Sequence, residues 1–243
     1  MAPEAAWQNP GVTETRWHRS RPLASTWWAV LAVVVAMSLG AQFVLSVAYP
    51  EDMQTSVLTR VIRFFSYFTI QSNLLVLASV LPLMRDSDHD GRVWRVLRLA
   101  SLLGITITGL VYVVVLAPLD HPHGIHAWTN AGQHYVSPVM TVLGWLLLGP
   151  RPRFTMSAVG WALVWPVMWI AFTLAHGAAT GWYPYDFLDV SALGYAVAVR
   201  NLGLVVLVAL VFLLLFRLVD RRLPATDADP REDALVRAAG SPG

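Results

Sequence analysis

Of 243 residues, 56% are hydrophobic and only 13% charged, a balance that disfavours a water-soluble globule and leaves room for about six membrane spans of roughly 20 residues. All 17 basic side chains are Arg and there is no Cys, which excludes lysine Schiff bases, retinal- and pyridoxal-type chemistry, disulfides, thiolate nucleophiles, iron–sulfur clusters and Cys-ligated zinc. A net charge of +2 is too small to argue for nucleic acid.

In chain order, six apolar runs follow one another: Trp27 to Ala48, about Val61 to Leu83, Val96 to Pro118, Trp128 to Leu148, Phe154 to Gly181 and Val190 to Phe216. Each is long enough to cross about 30 Å of hydrocarbon, and none has the strict alternation of a barrel strand. The first is longer than a signal-peptide core; its Ala32, Ala36 and Gly40 form a small-residue face for helix packing. The expectation is an all-α bundle of six transmembrane helices spanning residues 25–222, between disordered tails at 1–24 and 223–243 that are rich in Pro, Ala and charge.

Fourteen of the seventeen arginines fall on one side of this topology, among them Arg85, Arg92, Arg95, Arg98, Arg151 and Arg153, and only Arg60 and Arg63 on the other. The positive-inside rule then puts both termini in the cytoplasm. The opposite side holds Glu51, Asp52, Asp120, Asp186, Asp189 and the histidines of the stretch Asp120-His-Pro-His-Gly-Ile-His126. Those histidines are of a type that zinc accepts, but their spacing is not specific and Pro122 and Gly124 make the stretch an ordinary turn; no metal or other cofactor is expected. Most of the eleven Trp, including Trp27, Trp28, Trp128 and Trp182, read as interfacial anchors.

No acidic residue lies in the middle of a span, which argues against a proton-coupled transporter, and no internal repeat suggests an inverted-repeat one. The polar groups inside the spans are concentrated toward the outer ends, with Thr69, Thr108, His134, His176 and Arg200 about 8 to 15 Å deep at 1.5 Å per residue. On the second span Arg63, Ser66, Thr69 and Asn73 share a face, as do Asn130, His134, Ser137 and Thr141 on the fourth, so Thr69 and His134 can meet inside the bundle. Pro138 deprives the carbonyl of His134 of its helical donor. The competing role for Thr69 is a hydroxyl bond to the carbonyl of Phe65. Arg200, as a buried guanidinium, marks a function or a required partner.

The segment Phe64-Phe-Ser-Tyr-Phe-Thr69-Ile-Gln-Ser-Asn73, with His134-Tyr-Val-Ser-Pro138, resembles the androgen-induced-gene and androgen-dependent TFPI-regulating protein family, and more closely its uncharacterised bacterial six-span relatives. The stretch Gly181-Trp-Tyr-Pro-Tyr-Asp-Phe-Leu-Asp189 is similar to those bacterial proteins too. The animal members are intramembrane threonine hydrolases of fatty-acid esters of hydroxy fatty acids, and the resemblance implies Thr69 as nucleophile and His134 as its base. Asn73, Arg200 and Asn201 are candidate oxyanion donors by depth, and Asn130 or an outer-loop Asp a candidate orienting group. The expected function is hydrolysis of a lipid or fatty-acid ester, with membrane lipids as the partners, in a bacterial plasma membrane; the alternative is a non-catalytic protein that binds or transports a lipid or small solute. The sequence does not encode the substrate or the oligomeric state.

Overall fold

The computed structural model describes residues 20–50 and 54–223. Most of both expected tails, Glu51, Asp52, and Arg16, Arg19, Arg231 and Arg237 of the charge asymmetry lie outside them. Every regular element among the described residues is helical. Helix α1, Ser20–Ala48, begins inside the expected N-tail. Its buried stripe is Trp28, Leu31, Ala32, Val35, Ser38 and Leu39, whereas Ala36 and Gly40 are exposed. Of the small-residue face only Ala32 packs: beyond it the helix buries its bulkier side chains, because apolar area removed from solvent and close dispersion contacts favour them.

The second expected span is two helices. Helix α2, Val57–Ser66, ends at Tyr67, whose backbone is extended (φ −68°, ψ 129°), and α3, Phe68–Arg85, starts immediately after it. At ten residues, α2 reaches only about 15 Å. It turns Val57, Leu58, Ile62 and Phe65 outward, while the Arg60 guanidinium donates to the Val47 carbonyl at 2.7 Å. Helix α4, Arg92–Val111, continues as a π-helical turn, Tyr112–Leu116. Residues 125–148 form one helical run made of α5, Ile125–Ala131, a second π turn, Gly132–Val136, and α6, Ser137–Leu148. Helices α7, Met156–Ala162, and α8, Val164–Thr180, are likewise nearly continuous. A 3₁₀ turn, Asp186–Leu188, and the short α9, Val190–Leu193, lead through Gly194 into α10, Tyr195–Arg222.

Five helices among the described residues are long and apolar enough to cross a membrane: Pro22–Ala48, Phe68–Arg85, Arg92–Leu116, Met156–Thr180 and Tyr195–Arg222. The protein is thus a multi-pass helical membrane protein. The run 125–148, the fourth of the six expected spans, is helical but falls outside the five; it carries Thr129, Asn130, Gln133, His134, Ser137 and Thr141.

Two arginines exchange the places expected for them. Arg98, assigned to a loop, is 1% exposed; its guanidinium lies over the ring of a fully buried Trp28 at 4.6 Å and donates to Ser79 at 3.4 Å. Trp28 is accordingly a core residue rather than an interfacial anchor, and a cation on an aromatic face gains most where both are desolvated. Arg200 is exposed and donates to Asn201 beside it at 3.2 Å. The break at Gly194 delays the start of α10, so that Arg200 stands only about 8 Å along the helix, near enough to its end for a long side chain to reach the interface.

The two ends of the bundle differ. At one, Asp90 receives Arg95 bidentately at 2.7 and 2.5 Å and lies 3.5 Å from Arg153. The fully buried Asp220 accepts the backbone N–H groups of Arg153 and Phe154, each at 2.8 Å. The other end gathers residues 42–46, 64–70, 112–134 and 184–186 around an open cavity.

Candidate functional site

The break at Tyr67 places Thr69 in the first turn of α3, where backbone N–H groups have no helical acceptor. Tyr67 offers no side-chain cap. Tyr185, arriving on the loop before the 3₁₀ turn, supplies one: its phenol oxygen accepts the N–H of Thr69 at 3.2 Å. The Thr69 hydroxyl lies 3.3 Å from the same oxygen and 3.2 Å from Nε2 of His134. The bond to the Phe65 carbonyl does not form, because the chain is not helical across Tyr67; that carbonyl accepts from the Gln71 side chain at 2.8 Å instead. Burial pushes the Tyr185 phenol up to about 12, so it remains protonated and able to donate.

His134 sits in the second π turn. There the N–H of Ser137 reaches back to the Gly132 carbonyl and Pro138 has no N–H, so the Gln133 carbonyl has neither an α- nor a π-type donor. Asn73 fills that vacancy: its amide donates to Gln133 at 3.3 Å and to the Thr69 carbonyl at 2.9 Å, cross-linking the two segments that carry the hydroxyl and the imidazole. Nδ1 of His134 is 2.6 Å from the Asn130 oxygen. The Asn130 nitrogen donates to the Tyr112 phenol oxygen at 2.5 Å, and Tyr112 donates to the Asp120 carboxylate at 3.1 Å. The Tyr112 ring is stacked on the imidazole with centroids 4.1 Å apart.

The direction of this chain of bonds is determined. The Asp120 carboxylate accepts only, so Tyr112 spends its proton there and accepts from Asn130; the Asn130 carbonyl oxygen then faces His134, Nδ1 carries the proton and Nε2 is left as the acceptor for the Thr69 hydroxyl. A hydroxyl facing a bare imidazole nitrogen whose far side is oriented by a third group is the arrangement that activates an alcohol as nucleophile.

Thr69, His134 and Asn130 are therefore brought together. Asn73 is adjacent, but both its donor contacts go to backbone carbonyls, which leaves it a strut rather than an oxyanion donor. Arg200 and Asn201 are elsewhere: Arg200 is exposed, and Asn201 donates to the Phe187 carbonyl at 2.9 Å, steadying the turn next to Tyr185. His176 bonds Thr180 within α8. Among the described residues no three His, Asp or Glu side chains converge as a metal site. The phenols of Tyr185 and Tyr112 were not anticipated. The sequence signal for Tyr185 was the aromatic stretch 181–189, but nothing local says that it reaches the start of α3.

Two cavities meet at Thr69. One, a narrow cleft with a cavity volume of about 70 Å³, runs between α4, α8 and α10 and is lined almost wholly by apolar side chains such as Leu103, Ile107, Ile170, Val205 and Ala209. The other, wider and open, with a cavity volume of about 770 Å³, is polar, with Gln42, Asp120, His121, His126 and Asp186 on its walls. Thr69, Leu116 and Tyr185 line both. No family model, no curated protein and no solved structure matches the chain.

Proposed function

We propose that the protein is an intramembrane hydrolase of lipid esters in which Thr69 is the nucleophile, His134 the general base and Asn130 the residue that orients the imidazole. The observation that carries the reading is the run of contacts from the Thr69 hydroxyl to Nε2 at 3.2 Å and from Nδ1 to Asn130 at 2.6 Å. The likeness of residues 64–73 and 134–138 to threonine hydrolases of the androgen-induced-gene family supports it independently of geometry.

In the first half-reaction the Thr69 oxygen adds to the ester carbonyl carbon while its proton passes to Nε2. The carbonyl oxygen becomes an oxyanion, for which the Tyr185 hydroxyl is the donor at hand. Collapse breaks the bond to the alcohol oxygen, which takes the proton from Nε2, and leaves an acyl-threonine. Water then adds to that ester with His134 again as base, releasing the fatty acid and restoring the hydroxyl. In this reading the polar run 125–148 is the fourth span and completes a set of six, both termini are cytoplasmic and the protein resides in a bacterial plasma membrane with its site near the outer surface.

Purified protein in detergent is expected to react with a lipase-directed fluorophosphonate probe. Thr69→Ala and His134→Ala should each abolish labelling, and Thr69→Ser should keep it. Labelling that survives Thr69→Ala removes Thr69 as nucleophile. Saturable lipid binding with no ester turnover assigns the cavity to a binding or transport protein instead.

A further inference from the structure

The ester that suits this site is legible in how its two cavities divide at Thr69. Resting on the hydrolase reading, we infer that the substrate is a fatty-acyl ester of an uncharged polyol, its acyl chain in the apolar cavity and its alcohol in the polar one.

The apolar cavity has little to offer a polar ligand. The Trp169 indole N–H on its wall already donates to the Ser66 carbonyl at 2.9 Å, and its remaining polar side chains are Thr69, Thr108 and Tyr185. Thr69 and Tyr185 also border the polar cavity, so a chain inside would have its carbonyl end at the nucleophile. Its walls extend from Leu103 on α4 to Leu116 at the end of the following π turn and from Leu202 to Ala209 on α10, about 20 and 10 Å along the helices, a length suited to an extended alkyl chain.

The polar cavity rejects one kind of alcohol. Asp120 and Asp186 line it, and no arginine among the described residues does; the nearby Arg63 guanidinium is held over the Trp182 ring at 5.1 Å. A phosphate or carboxylate on the leaving alcohol would enter a space with two like charges and no fixed cation, and lose its hydration there. Gln42, Ser46 and the imidazoles of His121, His123 and His126 supply donors and acceptors to hydroxyl groups. An acylglycerol or acyl-sugar head fits; a lysophosphatidate or an ester of a hydroxy fatty acid does not.

The test uses purified full-length protein and esters of one acyl chain with glycerol, a hydroxy fatty acid and glycerol phosphate as the alcohol. The glycerol ester is expected to show a kcat/KM at least about tenfold above either anionic ester, and Asp186→Asn should narrow that ratio. Along a series of monoacylglycerols kcat/KM should rise about fourfold per methylene and then level off, and Ala209→Phe should move the levelling point to shorter chains. Fluorophosphonate labelling of each variant shows that its site is intact, and Val205→Phe serves where Ala209→Phe does not label. Thr69-dependent cleavage of an anionic ester at an equal or higher rate overturns this inference and leaves the hydrolase standing, as does a rate indifferent to chain length. Labelled protein that cleaves no ester overturns the hydrolase reading and this one with it.

Discussion

The His134 imidazole is oriented by side chains that lie behind it, away from Thr69, and in the proposed hydrolase they would hold it ready as a base. Asn130, one helical turn earlier, fixes the Nδ1 proton, and the Tyr112 phenol and Asp120 carboxylate behind it fix the orientation of the amide. Asn130→Ala should therefore lower kcat by about 10²- to 10⁴-fold with a small change in KM, measured on any ester the protein cleaves. Asp120 is a positioning residue that acts through Tyr112. Asp120→Ala and Tyr112→Phe should each reduce kcat, and the double variant should be no slower than the worse single one, because both break the same chain; ¹⁵N shifts of His134 should show loss of the single Nδ1–H tautomer in each. Additive losses would mean that Asp120 works by another route. That Thr69 and His134 can meet was readable from their depths, and Asn130 from its place four residues before His134 on one helical face; the roles of Thr69 and His134 came from the family resemblance, and the face expected to join Arg63 and Ser66 to Thr69 is broken at Tyr67. Tyr112 and Asp120 were not, because the bond between them depends on a π turn and a loop whose course no periodicity encodes.

At the scale of elements, the site is made by two interruptions of regular helix. One is the break at Tyr67, the other the π turn at Gly132–Val136. The turn lies against α1: a Cβ on Gly132 would stand 2.7 Å from Cβ of the buried Ser38. Gly132→Ala should push the π turn off α1, destabilise the protein by about 1–3 kcal/mol and lower kcat at least tenfold; adding Ser38→Gly should restore a large part of both, as read by thermal unfolding and turnover in detergent. Pro138 foretold a disturbance of the ladder and a freed carbonyl, although the carbonyl that finds a new donor is that of Gln133, one residue earlier. The break at Tyr67 left no mark in the sequence, since no Pro or Gly accompanies it and the flanking Arg63, Ser66 and Thr69 keep a helical spacing across it. Elsewhere, Asp90 offers a test of the opposite end. Its hydrogen bonds from Arg95, with help from the Gly91 N–H and Arg153, hold the carboxyl down at about 2. A carboxyl depressed on folding stabilises above its ordinary value near 3.8, and that contribution disappears as pH falls through 2. Asp90→Asn should thus lower the thermal midpoint at pH 6 and make little difference near pH 2.

For the molecule as a whole, composition alone established a helical membrane protein, because 56% hydrophobic residues arranged in long runs have no soluble solution. The number of spans was harder to read. The run 125–148 has enough polar side chains to drop out of a count by apolarity, and a helix is given this composition when its polar face is spent on a site rather than on lipid. Fluorescent-protein fusions should glow at both the N- and C-terminus if the two ends are cytoplasmic, and a periplasm-active phosphatase inserted near His123 should be active; a dark C-terminal fusion would remove one crossing.

If the protein is the hydrolase proposed, the position of Thr69 on the seam between an oily cleft and a wet bowl would separate the products once the ester bond is broken. The liberated acid and alcohol would find themselves in different phases, one free to slip sideways among lipid tails and the other to diffuse off into water. Their re-encounter would then require a trip between compartments, which would slow the return of either product to the site without altering the equilibrium between ester and products.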